Sequence, residues 1–229
     1  MKRILALIVA VFALTRPALA EDIRIDLSNY LSLTPGNWNN IGNIAGLTNN
    51  LVDFPTGNVT NVSIDGTGGP WQDFYGDDPV TFPNQDWLIQ PATQDGAGLQ
   101  QGQTGTYVIS NLAYTYYKVE IVSARTSFDY LNTITVNGAL ADRTYQGTPV
   151  VTPWGSTTDG LTPSNWLIWD NVMAINGVIT IMDVADANTL GILNAIRIVT
   201  VPEPASFAMA GIGAAFILAA IGRRRGRIA

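Results

Sequence analysis

YYKVEIVS, residues 116–123, is the stretch that decides the fold class of this chain. Tyr117, Val119 and Ile121 are apolar, and the two side chains that alternate with them, Lys118 and Glu120, are charged. This period of two is typical of a β-strand with one buried face and one face toward solvent. Long stretches with a helical period do not occur before the C-terminal tail, so the pattern predicts an all-β domain.

Similar stretches lie on both sides of this strand. We predict further strands at residues 23–27, 59–64, 106–110, 133–136, 166–174, 178–183 and 195–199. Asn176-Gly177 separates two of them and Asn137-Gly138 follows a third, and Asn-Gly favours type I′ hairpins because both central residues need a positive φ. Hairpins at this spacing predict a two-sheet β-sandwich of the jelly-roll kind.

The segment 55–105 differs from the rest because glycine and proline interrupt it repeatedly. We predict a long loop here, and loops of such length are usually functional or disordered. Trp71 and Trp87 lie within it, and their large rings indicate that the loop is ordered.

The composition excludes several kinds of chemistry. The 229-residue chain has no cysteine and no histidine, and its formal net charge is −6. It therefore has no zinc site of the usual kind, no thiol nucleophile and no Ser-His-Asp triad. The acidic balance argues against a nucleic-acid partner, since phosphate binding needs basic patches. Carboxylates, amides, hydroxyls and aromatic rings remain, and these are the groups that bind sugars and calcium.

Residues 1–20 form a predicted signal peptide. Two basic residues precede an apolar run at 4–14, and Ala18 and Ala20 occupy the two positions that a signal peptidase reads. Cleavage is expected directly after Ala20. The alternative is an N-terminal membrane anchor. Such an anchor needs ~20 apolar residues, and the apolar run at 4–14 is shorter.

Residues 201–229 combine three elements. The motif Pro202-Glu203-Pro204 precedes a predicted transmembrane helix at 205–222, whose length is close to the ~20 residues that span a bilayer. A basic end at 223–229 follows, and its arginines are Arg223, Arg224, Arg225 and Arg227. Because positive residues stay on the cytoplasmic side, the single domain predicted at 21–200 lies outside the cytoplasm.

This tripartite tail resembles the PEP-CTERM sorting signal of Gram-negative bacteria. The resemblance implies transient anchoring in the inner membrane, where an exosortase cuts near the motif. It further implies that the protein then passes to the cell envelope or extracellular matrix, in connection with exopolysaccharide and biofilm formation. The alternative is an ordinary C-terminal tail anchor with a rigid proline spacer.

Four segments of the predicted domain share a second resemblance: 37–41, 105–125, 133–138 and the closing strand 194–198, which runs into the tail. Together they resemble the galactose-binding-like β-sandwiches that often precede PEP-CTERM tails. The resemblance implies a jelly-roll sandwich and a carbohydrate ligand.

The chain has six tryptophans, which favour sugar binding because flat aromatic faces stack on the apolar faces of pyranose rings. Trp71, Trp154 and Trp87 lie in contexts typical of loops, and Asp73 is close to the first of them in sequence. We predict these four as ligand-binding residues. The alternative is that the rings pack in the core or anchor loops.

Asp73 also belongs to a group of acids with Asp77, Asp78 and Asp86. A glycosidase needs two opposed carboxyls ~5 to 10 Å apart, one of them with a raised pKa. Polysaccharide hydrolysis by these acids is therefore an alternative function. Solvated loop acids are far commoner, so we predict no catalytic residue and no enzyme.

A calcium site requires oxygen ligands that converge. Asp183, Asp186 and Asn188 supply oxygens, and so do Asp77 and Asp78. However, Leu190 stands where an EF-hand loop needs a ligand, and Arg197 replaces the closing glutamate. We assign no metal site and no cofactor, and keep a structural calcium ion as an option.

These features together predict an exported, non-enzymatic surface or extracellular-matrix protein that is either a structural or a carbohydrate-binding component. Its predicted partners are a signal peptidase, an exosortase, the inner membrane and an exopolysaccharide. The alternatives are the hydrolase described above and a purely structural matrix protein or adhesin without a small ligand.

Overall fold

The computed structural model describes residues 21–27, 33–74, 87, 90–124, 130–144, 156–158, 163–164 and 166–201. Apart from one short 3-10 helix, Gln90–Thr93, the regular elements in these ranges are all strands. In chain order they are β1 (Asp22–Asp26), β2 (Asn39–Asn40), β3 (Leu47–Thr48), β4 (Ser63–Asp65), β5 (Gln72–Phe74), β6 (Gly96–Leu99), β7 (Thr104–Ser110), β8 (Tyr116–Val122), β9 (Leu131–Val136), β10 (Arg143–Thr144), β11 (Ser156–Thr158), β12 (Pro163–Ser164), β13 (Trp166–Met173), β14 (Ile179–Ala185), β15 (Gly191–Leu193) and β16 (Ala195–Thr200).

The first sheet has six strands in the order β10-β13-β8-β16-β1-β2. β16 is antiparallel to both of its neighbours, with Ile198 opposite Val119 of β8 and opposite Ile23 of β1. The strands nearest the two ends of the described chain therefore lie side by side within this sheet.

The second sheet has seven strands in the order β12-β11-β9-β14-β7-β4-β3. β14 lies between β9 and β7 and is antiparallel to both, with Ile181 opposite Val136 and Tyr107. A third, smaller sheet consists of β15-β6-β5 and is antiparallel throughout.

One hydrophobic core lies between the two large sheets. Val119 and Ile196 of the first sheet and Ile109, Ile134 and Ile181 of the second belong to it, and each is buried. Buried and partly exposed residues alternate along β7, β9 and β14, as a period of two requires. The prediction of an all-β sandwich is confirmed.

Both predicted Asn-Gly turns are confirmed as well. The φ angles are +49° at Asn137 and +77° at Gly138, and +54° at Asn176 and +75° at Gly177. Backbone hydrogen bonds close both turns. These are the positive φ angles that a type I′ hairpin needs at its two central positions.

The segment 55–105 differs from the prediction in two ways. The predicted strand 59–64 is wrong in its bounds, because β4 begins at Ser63 and Val59 is 68% exposed. The predicted long loop is wrong in part, because β5 and β6 lie inside it. Glycine marks close packing here, since the Phe74 ring occupies the space where a side chain at Gly98 would lie.

Glu120 also differs from the prediction. The alternating pattern of β8 places it toward solvent, but it is only 3% exposed. Arg197 of the neighbouring strand lies against its carboxylate, and a second apolar cluster that includes Val122 covers the same face of the sheet. The period of two correctly indicates a strand, but it carries no information about what packs on the polar face.

The sandwich has two ends, which we name by their position relative to the C-terminal tail. The tail end contains residues 49–50, Asn61, 111–115, 174–177 and Val201. The strand registers bring these residues to one end: Thr200 lies opposite Tyr117, and Ser63 lies opposite Ser110. The far end contains residues 66–70, 100–103 and 186–194, together with the third sheet.

Within the described ranges, no helix has both the length and the apolar character needed to cross a membrane. The predicted signal peptide at 1–20 and the predicted transmembrane helix at 205–222 lie outside those ranges.

Candidate functional site

Trp71, predicted to bind a ligand, lies in the core at the far end and is only 6% exposed. Its ring stacks on Tyr107, with the ring centroids 4.5 Å apart and the planes at 21°. It also lies directly against Gly105, where a Cβ atom would come within 2.5 Å of the indole ring. The Tyr107 hydroxyl in turn donates to the carbonyl oxygen of Ile44 at 2.8 Å. These contacts give Trp71 a packing role, and its role in ligand binding stays a prediction.

Asp73 lies on β5 in the third sheet and is exposed. Beside it, the side-chain amide of Gln100 donates to that of Gln72 at 2.8 Å. The other three acids of the predicted group lie outside the described residues: Asp77, Asp78 and Asp86. The opposed carboxyls that hydrolysis requires are therefore not established, and the hydrolase stays an alternative prediction.

Trp87 belongs to a cluster of three tryptophans on the outer face of the first sheet. Its ring stacks on Trp38 with centroids 5.9 Å apart and meets the edge of Trp166 at 5.4 Å. The three side chains are buried, with exposures between 1% and 6%. The guanidinium of Arg197 lies 5.5 Å from the centroid of the Trp87 ring. The cluster thus borders on a group of charged side chains.

That charged network crosses β1, β16 and β8. Arg197 donates two hydrogen bonds of 2.9 Å to the Asp22 carboxylate and one of 3.1 Å to Glu120. Arg24 reaches Asp22 at 3.0 Å, and Lys118 reaches Glu120 at 2.6 Å. Burial would raise the pKa of Asp22, but hydrogen bonds from Arg197 and Arg24 hold that pKa below its ordinary value. The network joins the first and last long strands through paired charges.

Asp183 on β14 faces the core and has no exposed surface. One of its carboxyl oxygens accepts a hydrogen bond from Asn132 Nδ2 at 2.8 Å, and Oδ2 is buried without a partner in the described part of the chain. Burial raises the pKa of Asp183 to about 8, so the carboxyl is mostly protonated at neutral pH. Because core side chains enclose it, this perturbed acid has no access to a substrate.

An open depression of about 860 Å³ lies at the tail end. Leu112 and Gly177 line it together with asparagines from four chain segments: Asn49, Asn50, Asn61, Asn111 and Asn176. The lining residues carry no charge. The depression is therefore a polar, neutral surface built from turns.

Backbone conformation explains why asparagine occupies three of these positions. The φ angle is +60° at Asn50, +63° at Asn111 and +54° at Asn176. Asparagine tolerates this left-handed region better than other residues with a side chain, so it suits the turns that follow β3 and β7 and the turn that precedes β14. Because these turns lie at the tail end of the sandwich, the asparagine amides lie there as well.

Most of these amides are available to a ligand. The Asn111 amide donates to the backbone carbonyl oxygen of Asn61 at 3.1 Å. The other side-chain amides of the depression make no hydrogen bond within the described part of the chain. Each amide offers two N–H donors and an acceptor oxygen. An array of this kind can pair with neighbouring hydroxyl groups without demanding a charge from the ligand.

The sequence analysis missed this surface. A signal is present in the repeated asparagines at turn positions, but a pattern such as Asn176-Gly177 indicates a turn and says nothing about what lies beside it. The contributing segments are far apart in the chain, and they become neighbours only when β4, β7 and β14 join one sheet.

Several predicted site residues lie outside the described residues: Ala18, Ala20, Trp154, Pro202, Glu203, Pro204, Arg223, Arg224, Arg225 and Arg227. Among the described residues, no group of three or more acidic side chains is placed to hold a metal ion. A structural calcium ion stays a prediction.

Comparison with known proteins bears on the tail. Residues 200–225 match the PEP-CTERM protein-sorting motif. This match confirms the prediction made from Pro202, Glu203 and Pro204 and the apolar and basic residues after them. The motif implies export, transient membrane anchoring and processing by an exosortase before placement in the cell envelope or outside the cell. No curated protein matches the sequence.

Several solved structures are similar to part of this chain at low identity. They include the CBM36-1 domain of a multidomain xylanase from the hindgut metagenome of Trinervitermes trinervoides, with 13% identity and a TM-score of 0.29 over 62% of this chain and 100% of that one. An exo-β-1,3-galactanase from Phanerochaete chrysosporium matches with 16% identity and a TM-score of 0.31 over 64% of this chain and 32% of the enzyme. The GH26-CBM35 β-(1,4)-mannanase of Podospora anserina matches with 12% identity and a TM-score of 0.30 over 62% of this chain and 28% of the enzyme. Overlap at this level assigns neither a ligand nor an activity to this chain.

Proposed function

We propose that this chain, which carries a PEP-CTERM sorting motif at residues 200–225, is an exported matrix component that binds neutral polysaccharide through the asparagine-lined depression. The observation that carries the proposal is the set of free, uncharged amides at the tail end. The polymer we propose is the exopolysaccharide of the producing cell, which would connect the protein to biofilm formation.

The chemistry of the depression fits a sugar chain better than a charged ligand. Side-chain amides both donate and accept, and neighbouring hydroxyls of a sugar ring require both functions. The chain has a net charge of −6, which disfavours polyanionic partners through long-range repulsion. A neutral polymer meets no such repulsion.

Affinity at a single depression is expected to be modest. Each hydrogen bond formed in exchange for water contributes about 0.5 to 1.5 kcal/mol, and the depression is open. Repeated contacts of many protein copies along one polymer raise the overall avidity without any new contact. This behaviour suits a protein that holds a matrix together.

The test is binding of the mature exported protein to the exopolymer isolated from the producing cells and to a panel of neutral polysaccharides. The variant Asn49→Ala/Asn61→Ala removes two free amides at positions where φ is not positive. Loss of two hydrogen bonds is expected to weaken binding by about 5- to 150-fold. The matched control is Asn188→Ala, which removes an exposed asparagine side chain at the far end and should leave binding unchanged.

Two outcomes would overturn the proposal. Absence of saturable binding by the folded wild-type protein would remove carbohydrate binding and favour a purely structural matrix protein. Saturable binding that Asn49→Ala/Asn61→Ala leaves intact and Asn188→Ala weakens would move the site to the far end, beside Asp73.

A further inference from the structure

The sorting motif leaves the folded domain without a spacer. Thr200 is the last residue of β16 and already belongs to the matched motif. Its backbone N–H donates to the carbonyl oxygen of Glu21 at 2.9 Å, and the N–H of Val201 donates to that of Tyr116 at 2.9 Å. The chain is therefore held in the first sheet up to the residue before Pro202.

This attachment limits how far the anchored precursor can stand from the membrane. Three residues, 202–204, separate Val201 from the apolar segment. Three residues of fully extended chain reach at most about 3.6 Å each, so the tether spans no more than ~11 Å. The end of the domain that carries Val201 is thus held against the membrane surface.

The asparagine-lined depression lies at that same end. Tyr116, which accepts the hydrogen bond from Val201, lies opposite Met173 on β13. From there the chain turns into the wall of the depression, where the N–H of Leu112 donates to the carbonyl oxygen of Gly177 at 3.0 Å. Val201, where the tether begins, and the depression therefore lie at the same end of the domain.

The far end is placed differently. It lies a full strand length from Val201, and a seven-residue strand such as β8 spans ~23 Å. A short tether at one end of the sandwich leaves the opposite end pointing away from the membrane. While the tail is in place, a ligand can therefore reach the far end more easily than the tail end.

We propose that the asparagine-lined depression faces the membrane in the anchored precursor and is closed to polymer, and that exosortase processing uncovers it. This inference rests on the proposed function of the depression. It makes binding conditional on release: the protein would not capture matrix polymer while still attached to the inner membrane, and would become competent once the tail is removed.

The chain has no cysteine, so single-cysteine variants report on one position each. Ala113→Cys lies at the tail end beside Leu112, and Ala187→Cys lies at the far end, and both native residues are exposed alanines. The experiment compares the rate of modification by a bulky polyethylene-glycol maleimide in two preparations. One is the anchored precursor in spheroplasts of cells lacking the exosortase, and the other is the released mature protein.

The Ala113→Cys thiol is expected to react several-fold more slowly in the precursor than in the mature protein. The Ala187→Cys thiol should react at the same rate in both. N-ethylmaleimide, which is small, should modify both thiols in both preparations, which shows that they are reactive. Equal reaction of Ala113→Cys with the bulky reagent in precursor and mature protein would overturn the inference.

A longer tether provides a second test. Insertion of a Gly/Ser linker of about 10 residues between Val201 and Pro202 adds a mean reach of ~17 Å. It should restore the reaction of Ala113→Cys in the precursor, and failure to do so would contradict membrane occlusion. Polysaccharide binding by the mature variants is measured separately. Occlusion can thus fail while the mature protein binds polymer, and binding can fail while occlusion holds.

Discussion

The two ends of the sandwich use polar and aromatic residues in opposite ways. At the far end, Trp71 is stacked on Tyr107 in the core, and the acid nearest that end of β14, Asp183, is buried and mostly protonated. At the tail end, asparagines line an open depression and most of their amides have no partner in the described part of the chain. At the far end, the tryptophan and the acid that the sequence marks as candidate ligand groups are thus buried by packing. At the tail end, asparagines that the sequence marks only as turn residues keep free amides.

This difference shows that residue type is a weak guide to whether a side chain is available to a ligand. Tryptophan and aspartate suggest a sugar site because of what their side chains can do, but a large ring gains more stability from burial than any other side chain. Asparagine suggests a turn, and turns lie on the surface. The side chains that are available to a ligand are therefore those that do not pack in the core.

The largest effect is expected from truncating the packed aromatic ring at the far end. Trp71→Ala should lower the free energy of unfolding by about 3 to 5 kcal/mol, because it leaves a cavity under Gly105 and Tyr107. Asn49→Ala at the tail end should change it by less than about 0.5 kcal/mol. Urea unfolding of the mature protein measures both. Equal, small effects would mean that Trp71 is not part of the core and would favour its predicted role in ligand binding.

A second prediction contrasts two ion pairs of different burial. Arg197→Met should cost about 3 kcal/mol, because it leaves the carboxylates of Asp22 and Glu120 buried without their shared partner. Arg143→Met breaks a pair with Asp170 whose side chains are 51% and 40% exposed, and should cost less than about 1 kcal/mol. Urea unfolding again supplies the measurement. A cost for Arg197→Met as small as that for Arg143→Met would show that the network does not hold β1 to β16.

The smallest effect is a pH dependence at Asp183. The native state keeps this proton up to about pH 8, whereas an unfolded aspartate loses it near pH ~4. Between these values the native state binds the extra proton, so the stability of the wild-type protein falls as pH rises through that window. Asp183→Asn lacks this dependence. Its stability relative to wild type should therefore increase by about 2 to 3 kcal/mol between about pH 5 and pH 7.

Thermal or urea unfolding of both proteins at the two pH values measures this change. Taking the difference between variant and wild type cancels the titration of the other acids. A difference that does not vary with pH would mean that Asp183 is ionised in the native state, and would require a partner for its second oxygen.

Local patterns predicted much of the fold. Alternation located β8, β9, β13, β14 and β16 to within a few residues. Asn137-Gly138 after β9 and Asn176-Gly177 between β13 and β14 marked turns correctly, because strand period and positive φ are properties of neighbouring residues. The third sheet was not predicted, because glycine in a sequence usually indicates a loop. At Gly98 it instead allows the Phe74 ring to approach the backbone. The burial of Glu120 was missed because its partner Arg197 is distant in the chain.

By itself, the sequence determined the sorting signal, the β class and the tight turns, since each depends on residues that are adjacent in the chain. Only the tertiary structure decided which charged and aromatic groups are buried, and which asparagines meet at one surface. It also decided that this surface lies at the same end of the sandwich as Thr200 and Val201. The physical reason is that burial and proximity follow from pairing between distant strands. Val201 reaches Tyr116, and Thr200 reaches Glu21, only when β16 pairs with β8 and β1 in the first sheet.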